Sequence, residues 1–215
     1  MTNNNDLKKL LHVVMGTVWT EAWEKNPQYM LNKLYLQKQS EFYIINKFMR
    51  FDKESVVLDY GIGMGIIAEH VCNLVSKVYG WDTDSAMLEY CGEKNLNNLN
   101  LLPPHCAIND LKSLGINTII ANNVIGEYYS VDDFGNLLSA FSEILPVGSK
   151  VWFDWYNRLT MKNSLDENDA ALFTLDKMNF YTSDQVRARI KECGNFSVVF
   201  IDDRYQHAKA LIKRI

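Results

Sequence analysis

The sequence of 215 residues lacks several signatures that would each point to a different function. Its four cysteines show no C-x-x-C spacing, which argues against both a zinc site and a disulfide framework. No G-K-[ST] tripeptide is present, so a P-loop for nucleotide phosphates is excluded. The net charge of −4 provides no general attraction to nucleic acid or to anionic membranes.

Long apolar runs are also missing. No segment approaches the roughly 20 consecutive apolar residues of a membrane span, so no membrane partner is expected. The apolar stretch at residues 10–19 contains His12 and lacks the small-residue cleavage site of a signal peptide. We therefore expect a cytoplasmic protein. With 47% hydrophobic residues, the chain has the composition of one folded domain, which at this length buries roughly 70% of its unfolded surface.

The most informative stretch, residues 56–70, is predicted to form a strand, a glycine loop and a helix. A run of aliphatic residues indicates a buried strand. It is followed by glycines at three alternate positions, Gly61, Gly63 and Gly65. Alternating glycines permit backbone angles that other residues resist, and they leave no Cβ in the path of a ligand. Since free N–H groups at the helix start point into the same loop, this stretch should hold a ligand against main chain.

The glycine spacing discriminates between classes of ligand. Dinucleotide-binding folds use G-x-G-x-x-G, whereas here the third glycine comes one residue earlier. Asp59, two residues before the first glycine, suits a cationic or amine-bearing ligand better than a pyrophosphate. The segment resembles motif I of the class I S-adenosylmethionine (SAM) methyltransferases, h-h-D-x-G-x-G-x-G. This resemblance implies SAM as the cofactor, with contacts from Asp59, Tyr60 and the three glycines.

The surrounding pattern predicts an α/β fold: a seven-stranded, mostly parallel sheet with an antiparallel last strand, helices on both faces and an N-terminal helical lid. A second strand ends at Asp82 and leads to a helix capped by Asp84 or Thr83. Pro103 and Pro104 interrupt the chain, so the paired part of the third strand is placed near residues 105–108. The remaining strands are expected at residues 116–124, 150–156, 196–204 and 208–215.

Helices connect these strands. The helix after the glycine loop is expected at residues 66–76, and another at 131–145. A helix at residues 183–193, capped by Ser183 and ended by Gly194, precedes the closing hairpin. The polar stretch at residues 157–181 is long for a connection inside a compact domain, and such loops usually bind ligands or act as lids.

Residues 1–50 are predicted to form helices in front of a SAM-binding core at residues 51–215, within one structural domain. Apolar spacing indicates a short helix at residues 7–14 and a long one at 29–48. Between them, Trp19 and Trp23 lie four residues apart. That spacing suits packing in the core, and it equally suits a lid over the cofactor.

The resemblance to methyltransferases extends beyond the glycine loop. In that family an acidic residue at the end of the second strand binds both ribose hydroxyls, and Asp82 holds this position here. A helix N-cap is the alternative role for Asp82. The resemblance also implies cofactor contacts from Thr83 and Met87 in the same motif. The contact to the adenine amino group is assigned to Asp110 or, with a shift of one residue, to Asn109.

The methyl acceptor is expected at the carboxyl ends of the fourth and fifth strands, where open α/β sheets bind ligands. Asn122 resembles the family position whose backbone faces the methionine part of SAM. Tyr128 and Tyr129 follow the fourth strand, and because adjacent side chains diverge, at most one should face the site. The candidate catalytic residues are Tyr128, Arg158 after the fifth strand, and His207 in the turn of the closing hairpin.

Methyl transfer from SAM is an in-line displacement that depends mainly on holding the reactants collinear, so no catalytic motif is required. The D/N/S-P-P-Y/F motif of base-directed N-methyltransferases is absent, which argues against a nucleic-acid substrate. No metal site is expected, because no cluster has metal-ligand spacing. We predict methylation of an O or N atom of a small metabolite or natural-product intermediate. A non-catalytic SAM-binding subunit and an aminopropyltransferase are the alternatives.

Overall fold

The computed structural model describes residues 26–157, 180–204 and 207–215. The predicted helix at residues 7–14, the Trp19 and Trp23 pair, Arg158 and most of the predicted loop at residues 157–181 lie outside these ranges. No helix of the described residues combines the length and the apolar character needed to cross a membrane.

The described chain begins with helix α1, Pro27–Met49, which confirms the long helix predicted at residues 29–48. Its proline lies in the first turn, where a missing N–H costs nothing. The Asn26 side chain caps this turn by accepting a 3.1 Å hydrogen bond from the Tyr29 amide. The helix ends at Arg50, which adopts a left-handed conformation.

A mixed sheet forms the centre of the domain. Its strands are β1 (Val56–Tyr60), β2 (Lys77–Trp81), β3 (Leu99–Leu101), β4 (Thr118–Ala121), β5 (Lys150–Asn157), β6 (Phe180–Tyr181), β7 (Phe196–Asp202) and β8 (His207–Arg214). Seven of them follow the order β3-β2-β1-β4-β5-β8-β7, and β8 runs antiparallel to both of its neighbours. The predicted seven-stranded sheet with an antiparallel last strand is confirmed. The two-residue β6, which was not predicted, pairs with the end of β5.

Helices cover both faces of the sheet, as predicted. They are α2 (Ile66–Val71), α3 (Ser85–Glu93), α4 (Ile125–Tyr128), α5 (Val131–Ile144) and α6 (Ser183–Cys193), with a 3-10 helix at Ile108–Leu114. Alternate side chains of β1 enter different cores because strand side chains alternate between faces. Val57 packs with residues of α1 and α2, whereas Leu58 packs with residues of α5 and α6.

The strand order reverses beside β1, which places the functional edge. From β1 the chain builds β2 and β3 on one side and then returns to β4 on the other side. Ligands of open α/β sheets bind at such switch points, at the carboxyl ends of the strands. The loops after β1, β2 and β4 meet at this edge.

Several details of the prediction are wrong. β3 lies before Pro103 and Pro104 rather than after them, because proline cannot donate a ladder hydrogen bond. Helix α2 ends at Val71 because the chain must turn back by Ser76, whose amide pairs with Ser55.

The cap of α6 is Thr182 instead of Ser183, since the Thr182 side chain accepts from the Gln185 amide. His207 is the first residue of β8, paired with Tyr156, because the hairpin register extends to the end of β5.

Candidate functional site

The glycine loop between β1 and α2 lies at the carboxyl edge of the sheet. A Cβ added to Gly61, whose φ is +77°, would lie 2.4 Å from Cγ2 of Val124. A Cβ added to Gly63, whose φ is +52°, would meet no atom of the described residues within 4 Å. Packing therefore requires a glycine at position 61. Gly63 instead borders open space, as expected of main chain that approaches a ligand.

Two side chains hold Gly63 in place. Its amide donates a 2.8 Å hydrogen bond to Oδ2 of Asp82, and its carbonyl accepts one from Sγ of Cys91 at 3.1 Å. Burial raises the pKa of Cys91 to about 12, so the thiol keeps the proton that it donates. No sequence pattern indicates this role of Cys91, because a single helical cysteine has no characteristic spacing.

Asp82 directly follows β2 and lies half-buried at the mouth of this loop. Its second oxygen, Oδ1, accepts a 3.0 Å hydrogen bond from the Asp84 amide. Asp84 is the N-cap of α3, since its side chain accepts from the Ala86 amide. Asp82 is therefore not the cap. Thr83 is exposed beside it, whereas Met87, on α3, is buried in an apolar cluster with Met30 and Leu34 of α1.

Asp59 is a buried carboxylate within β1, with only 4% of its surface exposed. Its Oδ2 atom has no hydrogen-bond partner among the described residues. Burial raises the pKa of Asp59 to about 7; the charge of Lys38 opposes this rise and that of Asp82 adds to it. Because an unpaired buried charge is unfavourable, this site is suited to a ligand group that is positively charged or donates hydrogen bonds.

Tyr60 faces the opposite side of the sheet from Asp59. Its ring stacks on Trp81, and its hydroxyl is hydrogen-bonded to the hydroxyl of Tyr129. The hydroxyl of Tyr181 in turn donates to the Tyr129 carbonyl. Burial raises the pKa of both Tyr60 and Tyr129, so both hydroxyls remain protonated. The Tyr60 side chain is thus a core group, and only its main chain borders the glycine loop.

The two candidates for the adenine contact lie on the 3-10 helix that follows β3, and both are exposed. Oδ2 of Asp110 accepts a 3.1 Å hydrogen bond from the Ala107 amide at the start of this helix. The carboxylate of Asp110 therefore has a structural role, which leaves the choice between Asn109 and Asp110 as a prediction.

A second group of polar residues lies at the ends of β4, β5 and β8, beneath α1. The Asn122 side chain donates a 2.7 Å hydrogen bond to Oε2 of Glu41, and the Asn123 amide donates one of the same length to Oδ1 of Asp154. Nε2 of His207 lies 3.6 Å from this Asp154 oxygen. Glu41, Asn122, Asp154 and His207 line a cavity of about 30 Å³. Its other lining residues are Ile44, Ile45, Trp152 and Lys209.

Glu41, Asn122, Asn123, Asp154 and His207 form a polar cluster. Its two carboxylates differ in their environment. Burial disfavours the charge of Glu41, but the adjacent Lys38 ammonium and hydrogen bonds from neighbouring side chains outweigh burial and lower its pKa. Asp154 is only 4% exposed, and burial raises its pKa, while a positive charge on His207 would lower it. Glu41 was not predicted as a site residue. Asp154 has a visible signal, since it is a charged residue inside the apolar run of β5.

The structure brings some predicted site residues together and leaves others apart. Asp59, Gly63 and Asp82 converge around the glycine loop, and Asn122 and His207 belong to the polar cluster. Tyr128 ends α4 and is 66% exposed, outside the lining of the cavity. In the described part of the chain, no three His, Cys, Asp or Glu side chains are placed as metal ligands would be.

Comparisons with known proteins find similar structures but no similar sequence. No protein-family model matches the chain, and no curated protein matches it by sequence. Solved structures do match. Magnesium protoporphyrin IX methyltransferase (ChlM) from Synechocystis PCC 6803, with bound S-adenosylhomocysteine (SAH), has a TM-score of 0.63 at 14% identity, covering 99% of this chain and 95% of that one. The chain has the class I SAM-dependent methyltransferase fold.

Two further solved structures share this class I methyltransferase fold. A SAM-dependent methyltransferase from Clostridium acetobutylicum ATCC 824 has a TM-score of 0.60 at 15% identity, covering 83% of this chain and 91% of that one. Geranyl diphosphate C-methyltransferase from Streptomyces coelicolor A3(2), with Mg²⁺, geranyl diphosphate and SAH, has a TM-score of 0.63 at 11% identity, covering 82% and 77%. At such identities the likeness establishes the fold alone.

Proposed function

We propose that the protein is a SAM-dependent methyltransferase that acts on an O or N atom of a small molecule. The observation that carries this proposal is the buried Asp59 carboxylate beside the open side of the glycine loop. Among the described residues, one oxygen of this carboxylate has no hydrogen-bond partner. SAM carries an amino group that suits this carboxylate. The structural neighbours crystallised with SAM or SAH support the same ligand.

We propose the remaining cofactor contacts from the geometry of the loop and from the resemblance to methyltransferases. Each oxygen of Asp82 accepts one backbone N–H, and a carboxylate oxygen has a second lone pair for a ribose hydroxyl. The open side of Gly63 lets the ligand approach main chain. Asn109 or Asp110 would face the adenine, and the main chain at Asn122 would face the methionine part.

Bound SAM supplies an electrophilic methyl group on a positively charged sulfur. The protein's own task is then to orient the acceptor and to exclude water. Helix α1 fits this task, because Glu41 reaches across to Asn122 at the end of β4. We therefore propose that the segment at residues 1–50, which the sequence predicts to be helical, belongs to the acceptor side, with Tyr128, Arg158 and His207 as candidate acceptor-side residues.

The proposal is tested by combining binding and transfer measurements. Calorimetry should show that SAM and SAH bind to the purified protein. Methyl-labelled SAM, incubated with the protein and a cell lysate, should then label the small-molecule fraction and leave nucleic acid and protein unlabelled. Binding without labelled product would instead support a non-catalytic SAM-binding subunit. Absence of SAM binding would refute the proposed function.

A further inference from the structure

The imidazole of His207 is held between a carboxylate and an aromatic ring. Its Nε2 atom lies 3.6 Å from Oδ1 of Asp154, and its ring stacks on Tyr156 with centroids 5.1 Å apart. Asp154 is itself fixed by the 2.7 Å hydrogen bond from the Asn123 amide. A carboxylate facing Nε2 favours the tautomer with its proton there, which leaves the Nδ1 lone pair available.

The burial of Asp154 makes its pairing with His207 more effective. In a low-dielectric environment a carboxylate stabilises a neighbouring positive charge more strongly than it does in water. If His207 takes up a proton, the resulting imidazolium therefore lies beside a group that favours it. The His207 side chain is 32% exposed, so the proton can afterwards pass to solvent.

The polar cluster adjoins the glycine loop. Asn122 follows β4, which lies between β1 and β5 in the sheet, so this residue separates the Asp59 region from the Asp154 region. The charge of Lys38 in α1 acts on both Asp59 and Asp154. The imidazole is thus positioned at the same edge of the sheet as the proposed SAM site.

The charges around the cavity indicate which acceptor it suits. Glu41 and Asp154 are acidic, whereas Lys38 and Lys209 are basic, so the groups from α1, β5 and β8 balance one another. A balanced site gives no particular attraction to an ammonium group. The cavity of about 30 Å³ has room for one small polar group, with apolar side chains on its other walls. A neutral hydroxyl fits these conditions, and it must lose its proton to become a good nucleophile.

We propose that His207 is the general base that deprotonates an acceptor hydroxyl, with Asp154 as its positioning residue. This inference rests on the proposed function, methyl transfer from SAM. The O–H bond breaks and its proton goes to Nδ1 of His207, while the oxygen lone pair forms the new bond to the methyl carbon. The electron pair of the broken carbon–sulfur bond remains on sulfur. The acceptor class is therefore an alcohol or a phenol.

The first experiment requires neither SAM nor an acceptor. Proton NMR of the free protein, with ¹⁵N-labelled histidine, should show a low-field Nε2–H resonance from His207 held by Asp154. The resonance should be lost in both His207→Gln and Asp154→Asn, and retained in His105→Gln, a change at an exposed histidine. Absence of this resonance in the wild type, or its persistence in Asp154→Asn, would overturn the pairing.

The second experiment uses methyl-labelled SAM and compares transfer to matched hydroxyl and amine acceptors. The pairs are phenol with aniline and benzyl alcohol with benzylamine, and a lysate fraction is tested beside them. Transfer should favour hydroxyl acceptors. His207→Gln should lower kcat by about 10²-fold or more, as loss of a general base does, with unchanged SAM affinity in calorimetry. The wild-type rate should fall at acidic pH, and this fall should be absent in His207→Gln. Added imidazole should partly restore His207→Ala, and His105→Gln should match the wild type.

The two proposals fail in different ways. Preferential transfer to amines, or an unchanged rate in His207→Gln, would overturn the assignment of the base while methyl transfer itself remained. A loss of SAM affinity equal to the loss of rate would show that His207 has a structural role, which also overturns it. SAM binding with no transfer to any acceptor would refute the enzymatic function, and the general base with it.

Discussion

The amide of Gly63 donates a 2.8 Å hydrogen bond to Asp82, so the residue assigned to the ribose also fixes the glycine loop. The two parts of the predicted cofactor site, 19 residues apart in sequence, therefore form one unit. Loss of the Asp82 carboxylate should affect the ligand directly and also through the position of the Gly63 main chain.

We expect Asp82→Ala to weaken SAM binding by about 10- to 150-fold in calorimetry, which corresponds to ~1.5–3 kcal/mol. Asp84→Ala is the matched control, because Asp84 lies two residues away and caps α3. That change should lower the free energy of unfolding by about 1 kcal/mol and leave SAM affinity unchanged. Equal losses of affinity in the two variants would contradict the assignment of Asp82 to the ribose.

Substitutions of two glycines should separate binding from folding. Gly63→Val should abolish SAM binding in calorimetry, because its side chain would fill the open side of the loop. The left-handed backbone adds a cost of about 1–2 kcal/mol to the folded state. Gly61→Ala should be more destabilising in thermal unfolding, since its Cβ would collide with Val124. Undiminished SAM binding by a folded Gly63→Val protein would show that the ligand lies elsewhere.

The buried Asp59 should make stability fall as the pH rises. In the folded protein its pKa is about 7, whereas that of an unfolded aspartate is about 3.9. The folded state thus binds the proton more tightly than the unfolded state does. The stabilisation that this proton provides is complete below about pH 4 and is lost as the pH rises to about 7. The loss is at most about 4 kcal/mol.

Urea unfolding of the wild type and of Asp59→Asn, at pH 5 and at pH 8, measures this effect. The variant should gain stability relative to the wild type at pH 8, because a neutral amide needs no counter-charge. It should nevertheless bind SAM more weakly. An identical pH dependence in the two proteins would show that Asp59 is not the buried titrating group.

Adjacent tyrosines provide a test of the acceptor side. Tyr128 is 66% exposed, so Tyr128→Phe should change the free energy of unfolding by less than about 0.5 kcal/mol. If Tyr128 positions the acceptor, this variant should lose turnover while keeping its SAM affinity. Tyr129→Phe removes the partner of the Tyr60 hydroxyl and should cost about 1–3 kcal/mol. Unchanged turnover in Tyr128→Phe would show that the Tyr128 hydroxyl does not position the acceptor, and it would favour the polar cluster around Asp154.

The lid formed by Trp19 and Trp23 and the role of Arg158 remain predictions, because these residues lie outside the described ranges. The assignment of adenine to Asn109 or Asp110 also remains open. In each case a binding measurement on the substituted protein would decide.

The glycine loop, the position of Asp82 and the alternation of strands and helices could be predicted from sequence. Each depends on residues that are close in the chain, where spacing alone determines backbone angles and the face on which a side chain lies. The error at β3 is also local, because two prolines were taken to precede the strand that they actually follow.

Other features depended on tertiary structure. Glu41 and Asn122 are 81 residues apart, and only the packing of α1 over the sheet joins them. Asp154 and His207 meet because β8 pairs antiparallel with β5 in one particular register. Cys91 supports Gly63 because α3 packs beside the glycine loop. Local sequence patterns contain no information about such long-range contacts, since many registers and helix positions satisfy the same apolar periodicity, and the packing of the complete core selects one of them.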